Sequence, residues 1–233
     1  MVEINTHTYT QAVQDYLKAI YSLQEQKEPA STSALARRLG MTPAAISKML
    51  KQLAGMKLCE HQKYRGATLT EAGQQAAIEM LRHHRLLELY LYKELGYGWE
   101  SVHDEAEKLE HHISEDFEAR IDRLLNYPRF DPHGDPIPTP DLRVELPDDY
   151  ALADTVAGDT VVVSRVNDES SEALRYLSSR GIGLGSVLVI LEKQLLNGPV
   201  EVETEGRVIA LGMELAKRIR VKDLEANKEI QKK

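Results

Sequence analysis

Histidine and carboxylate side chains crowd into one run of this 233-residue chain, His103-Asp-Glu-Ala-Glu107-Lys-Leu-Glu110-His111. On a helix that advances about 100° per residue, His103, Glu107, Glu110 and His111 fall within an arc of about 100° and project from one face. Upstream, His84 and Glu88 stand at i and i+4, again on one helical face. Imidazole and carboxylate together bind divalent first-row cations. The single cysteine, Cys59, excludes all-thiolate zinc and iron–sulfur sites and any internal disulfide framework. Without thiolates the set leans toward Mn²⁺ or Fe²⁺ and away from a closed structural zinc site. The competing reading is a solvated acidic face whose histidines titrate without consequence. Six potential ligands shared between two helical stretches weigh against it. A di-metal carboxylate enzyme needs two Glu-x-x-His units on separate helices. The central motif here is Glu-x-x-Glu-His and no second unit is present, so the chain is not expected to be an enzyme.

The elements that would carry such a sensor follow from periodicity and punctuation. Apolar residues recur at Val13, Tyr16, Leu17, Ile20, Tyr21 and Leu23, predicting a helix from Tyr9 to about Gln26. Ser31-Thr32-Ser33 offers capping oxygens to a short helix over Ala34–Leu39, and Gly40 closes it. Thr42-Pro43 opens the next helix, which runs through Leu53. Two short helices joined by a Gly-containing turn form a helix-turn-helix. Leu58–Leu69 reads as two strands around a turn, a wing. The stretches from Glu71 to about Leu95 and from His103 to Leu125 are helical and leucine-rich, which suits a helical body or a dimer interface.

Six of the nine prolines lie in residues 128–147, where no helix can continue, so that stretch reads as a linker. Beyond it, short β-rich runs at Thr160–Val163, Ser186–Leu191, Val200–Val202, Val208–Leu211 and Ile219–Val221 are interrupted by one helix near Ser170–Ser179. They predict a small SH3-like barrel. The fold class is therefore mostly α with a small β domain. The boundaries are drawn as a winged helix-turn-helix over 1–74, a helical dimerisation and metal-binding domain over 75–142, a linker over 143–154, an SH3-like domain over 155–225 and a charged tail over 226–233.

Charge agrees with this division. The net charge is −8 overall, but residues 1–75 hold 9 Lys/Arg against 6 Asp/Glu, whereas residues 76–142 hold 7 against 15. A basic head on an acidic, His-rich body suggests an anion-binding domain joined to a cation-binding one. A recognition helix presents its N-terminal residues to base edges in the major groove, which selects Thr42, Pro43, Ala44, Ser47 and Lys48. Arg37, Arg38, Lys51, Lys63 and Arg65 lie where phosphate contacts would position the head. The N-terminus lacks a signal peptide and no apolar segment approaches bilayer length, so a soluble, cytoplasmic protein with no membrane partner is expected.

The order of these motifs resembles the diphtheria toxin repressor family of metalloregulators: winged helix, His84-Arg-Leu-Leu-Glu88, Val102-His-Asp-Glu-Ala-Glu107-x-x-Glu110-His111, Pro132-His-Gly-Asp-Pro-Ile-Pro138, then a β domain. The resemblance spans essentially the whole chain. It implies a homodimer that binds a double-stranded DNA operator when metal-loaded, as a repressor of metal-uptake genes, with about two ions per subunit. It also implies a primary site of Asp15, Glu107, Glu110 and His111 and an ancillary site of His84, Glu88 and His103. Iron-type members carry Met and Cys where this chain has Asp15 and Glu107, so the primary site resembles the manganese-responsive branch, with Fe²⁺ the alternative. Two departures stand out. Small manganese regulators place a second acidic ligand where this chain has Lys18, which cannot bind a cation. The ancillary ligands expected from the SH3-like domain follow a Glu-x-x-Gln pattern, whose nearest match is Glu169-Ser-Ser-Glu172, offset by one residue. A winged-helix regulator of an organic ligand is the alternative function; it would need an apolar pocket and would ignore chelators.

Overall fold

The computed structural model describes residues 9–26, 28–62, 66–167, 170–194 and 197–224. Lys63, Arg65, Glu169 and the tail over 226–233, all named above, lie outside the described residues. The chain divides into two compact units, the first of residues 1–87, 107–126 and 137–144, the second of 88–106, 127–136 and 145–233.

The first unit begins with α1 (Gln11–Glu25), whose predicted stripe of Val13, Tyr16, Leu17, Ile20 and Leu23 is buried. In α2 (Thr32–Leu39) the Ser31 hydroxyl accepts the Ala34 amide at 3.1 Å, and Gly40 ends the helix at φ 63°. In α3 (Pro43–Gly55) the Thr42 hydroxyl caps the Ala45 amide at 3.3 Å. Ile46, Leu50 and Leu53 turn inward, which leaves the opposite face of α3 to solvent. The wing is an antiparallel pair of β1 (Cys59–Gln62) and β2 (Gly66–Leu69), with Cys59 opposite Leu69. Next comes α4 (Glu71–Leu95), 25 residues long. Its first turn packs so closely that a Cβ on Gly73 would stand 1.9 Å from the Leu58 carbonyl oxygen.

The helical run expected from His103 to Leu125 is broken in two. α5 (Val102–Leu109) stops, residues 110–112 form a turn, and α6 (Glu115–Leu124) restarts. Ser114 is the cause: its hydroxyl accepts the Phe117 amide at 3.3 Å and caps a new helix, while Ile113 is buried between the two. Within the first unit Arg82 of α4 fastens α6, donating to Glu118 at 2.6 Å, to Asp122 at 2.7 Å and to the Pro138 carbonyl at 2.5 Å.

The second unit is built on an antiparallel sheet in the order β3-β8-β4-β5-β6-β7. Its strands are β3 (Tyr150–Ala151), β4 (Thr160–Val166), β5 (Val187–Lys193), β6 (Val200–Thr204), β7 (Arg207–Leu211) and β8 (Ile219–Asp223). Alternating burial, as in Val200, Val202 and Thr204 of β6, builds a core that α7 (Ser171–Ser178) closes with Leu174 and Leu177. One helix was expected here; a second, α8 (Met213–Ala216), and a 3₁₀ turn at Leu152–Asp154 are also present.

Two stretches predicted as linker are ordered parts of the fold. Tyr150 pairs with Val221 at the sheet edge, and the side chain of Asp149, fully buried, gathers Arg165 at 2.9 Å and Arg220 at 2.8 Å. Asp131, Pro132, His133 and Gly134 are buried as well. Gly134, at φ 86°, lies against β4, where a Cβ would meet the Ser164 carbonyl oxygen at 2.3 Å. Prolines here limit the turn and do not loosen it, because hydrogen bonds from Asp131 and β4 hold the segment.

Candidate metal centre

The break after α5 decides how the predicted ligands are distributed. Because the helix ends at Leu109, Glu110 and His111 leave it in a turn and no longer share one face with His103. Each group is placed by a different unit.

In the first unit, Asp15 of α1, Glu110 and His111 bring one donor atom each within 4.8 Å of one another. His111 Nδ1 lies 2.6 Å from the side-chain carbonyl oxygen of Gln14, so that nitrogen carries the proton and donates it. Nε2 is buried and makes no hydrogen bond of good geometry. Yet it faces carboxylate oxygens of Asp15 at 3.0 Å and Glu110 at 3.5 Å. With Nδ1 held by Gln14, Nε2 converges with carboxylate oxygens of Asp15 and Glu110, and a set of imidazole and carboxylate donors gathered this closely fits a divalent metal. This orphaned nitrogen is a property of the fold, independent of any family resemblance.

Glu107, the fourth predicted member, is held differently. Lys18 of α1 donates to Glu107 Oε1 and to Glu110 Oε1, each at 2.6 Å. His84 of α4 bonds Glu110 Oε2 through Nδ1. Thus His84, Glu107 and Glu110 form a second donor group that shares Glu110 with the first. Burial would raise the Glu110 carboxyl, but the bond and charge of His84 and the charge of Lys18 outweigh it and hold the carboxyl below its usual range. Burial likewise pulls against the Lys18 charge, and the two glutamates overcome it, raising the ammonium above the ordinary lysine value.

In the second unit Glu88 of α4 lies 3.2 Å from His103 Nδ1 and 3.8 Å from His133 Nδ1. Glu88, Asp131 and His133 form a wholly buried donor group with atoms within 4.8 Å. His133 Nε2 donates to the Trp99 carbonyl at 2.7 Å, and Asp131 Oδ1 accepts the amides of His133 and Asp135. Burial alone would lower the His133 pKa; Glu88, Asp131 and the Trp99 carbonyl override it and push it up to about 9. Asp131 and His133 are the donors that sequence reasoning missed. They sit in Asp-Pro-His-Gly-Asp, where a histidine flanked by carboxylates in a rigid turn was the available signal. Glu172 is exposed in the first turn of α7 and belongs to none of these groups among the described residues.

The predicted DNA face lies in the first unit. Arg37 and Arg38 of α2 and Thr42, Pro43, Ala44, Lys48 and Lys51 at α3 are exposed, and Ser47 is half-buried.

Comparison with known proteins matches three family profiles in the same order: "Iron dependent repressor, N-terminal DNA binding domain" over residues 8–67, "Iron dependent repressor, metal binding and dimerisation domain" over 70–139, and "FeoA domain" over 150–223. The HTH-type transcriptional regulator MntR of Oceanobacillus iheyensis is 36% identical over 118 residues, 51% of this chain and 80% of that protein. The chain belongs to the iron-dependent repressor family. Another member, the iron-dependent repressor IdeR of Mycobacterium tuberculosis, is 37% identical over 123 residues, 53% of this chain and 54% of that protein. A solved structure described as a manganese-dependent transcriptional repressor in complex with manganese superposes with a TM-score of 0.86 at 42% identity, covering 91% of this chain and 100% of that one. The family's three-part fold, winged helix-turn-helix, helical domain and SH3-like domain, is the fold of this chain. Among the described residues no helix is long and apolar enough to cross a membrane.

Proposed function

We propose that this chain is a metal-dependent DNA-binding transcriptional regulator, a repressor of metal-uptake genes that binds its double-stranded operator as a homodimer when loaded with Mn²⁺, with Fe²⁺ as the alternative ion. One observation carries the reading: the buried His111 Nε2, without a hydrogen bond, faces carboxylates contributed by two different parts of the first unit. Asp15 stands on α1, the first helix of the DNA-binding head, and Glu110 and His111 stand in the turn that ends α5. A divalent cation bound there supplies the positive charge that makes these groups attract. Asp15 then ties α1 to the helical body, and Gln14, next in sequence, orients the imidazole through Nδ1. The orientation of α3 is thereby fixed relative to the body, and a dimer whose recognition helices stand about 34 Å apart is selected. Glu107, held beside Glu110 by Lys18, is the fourth donor of the primary site.

A second ion falls to Glu88 and His103, with His84 one turn earlier on α4; Asp131 and His133 offer further ligand atoms beside Glu88. Carboxylate and imidazole donors without thiolate favour Mn²⁺ over softer ions. Gel-shift titration of operator DNA with Mn²⁺, Fe²⁺ or a chelator tests the function. Binding that requires the metal supports it, whereas binding indifferent to the chelator points to an organic effector.

A further inference from the structure

Two donor groups in the first unit overlap on a single carboxylate: Asp15, Glu110 and His111 form one, and His84, Glu107 and Glu110 the other. Each is an arrangement of oxygen and nitrogen donors suited to a hard divalent cation, and sharing a carboxylate is how two-metal sites hold ions about 3.5–4 Å apart. The second group already contains a positive charge. Lys18 Nζ stands 2.6 Å from an oxygen of Glu107 and 2.6 Å from one of Glu110, whose side chain is fully buried. Lys18 is three residues after Asp15 on α1, so the helix that supplies a carboxylate to the first group supplies an ammonium to the second.

We propose that the Lys18 ammonium is a built-in cation that fills the second of two adjacent cation positions, so that this centre accepts one divalent ion instead of two. The inference rests on the proposed metal site at Asp15, Glu110 and His111. Its physical basis is charge and geometry. An ammonium is a compact point charge with three donors, and here it satisfies two glutamates at once. Without it, Glu107 and the buried Glu110 would lose the ammonium that both bind, and adjacent carboxylates beside His84 form an arrangement that recruits a cation. Lys18 is thus a specificity-determining residue for the number of ions.

Equilibrium dialysis of the full chain against Mn²⁺, read by elemental analysis and by electron paramagnetic resonance, tests this with wild type, Lys18→Gln, Lys18→Glu and Lys18→Arg. The wild type should show no exchange-coupled Mn²⁺ pair. Lys18→Gln and Lys18→Glu should each bind about one more Mn²⁺ per chain and develop the coupled signal of two ions at two-metal-site spacing. Lys18→Arg keeps the charge and should keep the wild-type count. A coupled pair in the wild type would overturn the proposal whatever the variants do. So would an unchanged count in folded Lys18→Gln and Lys18→Glu. A wild type that binds no Mn²⁺ would instead sink the metal reading itself, a result distinct from either.

Discussion

Gln14 illustrates how a residue outside the proposed donor set can orient a member of it. Its carbonyl oxygen accepts a hydrogen bond from His111 Nδ1 at 2.6 Å, and that bond turns Nε2 toward the carboxylates of Asp15 and Glu110. Gln14→Leu removes the acceptor with little change in volume. We expect Mn²⁺ affinity to fall about 10- to 100-fold, the usual cost of losing such a partner, with the fold retained; calorimetric titration against wild type measures it. His133 makes a prediction of a different kind. Its pKa is raised to about 9, above the ordinary value of 6.5, by Glu88 and its neighbours, against the pull of burial. Its contribution to the stability of the metal-free protein is therefore complete below about pH 6.5 and is lost as pH rises through about 9. Thermal melts with chelator present, compared between wild type and His133→Gln, should show that extra decline with rising pH in the wild type alone. At this scale the sequence was partly legible. The proximity of Glu110 and His111 to Asp15, and the place of Lys18 where small manganese regulators carry an acidic ligand, follow from the family resemblance, but Gln14, Asp131 and His133 act through three-dimensional neighbours that spacing along the chain does not reveal.

At the scale of elements, periodicity and caps foretold the helix-turn-helix, the wing and the 25-residue α4 closely, because each is fixed by local signals such as Ser31, Gly40 and Thr42-Pro43. What failed was the region after His103. A helical pattern that continues through a break looks unbroken, and only the Ser114 cap marks the restart. That break matters, since it separates His103 from Glu110 and His111. The proline-rich stretch failed for the opposite reason: composition suggested a linker where buried hydrogen bonds hold a rigid turn. The helical body depends on a buried charge cluster in which Arg82, 5% exposed, satisfies Glu118 and Asp122. Arg82→Ala would take the guanidinium away from buried Asp122 and leave buried Glu118 with His83 alone among the described residues. A loss of about 3–5 kcal/mol in denaturant unfolding is expected, larger than any single surface substitution would give.

For the whole molecule, net charge is a poor guide and its distribution a good one. A chain of net charge −8 still presents Arg37, Arg38, Lys48 and Lys51 together on the exposed face of its helix-turn-helix. Lys51→Ala should weaken operator and non-operator DNA similarly and reduce the slope of log affinity against log salt by about 1, which fluorescence anisotropy at several salt concentrations would show. At the centre of the proposed switch, Asp15 couples the DNA-binding head to the helical body through a bound cation. The most direct measurement is operator affinity with and without Mn²⁺ in wild type and in Asp15→Ala. Wild type should gain about 5- to 150-fold on adding Mn²⁺, the range of such couplings, and Asp15→Ala should stay folded and gain nothing. An Asp15→Ala protein that keeps the full Mn²⁺-dependent gain would contradict this coupling.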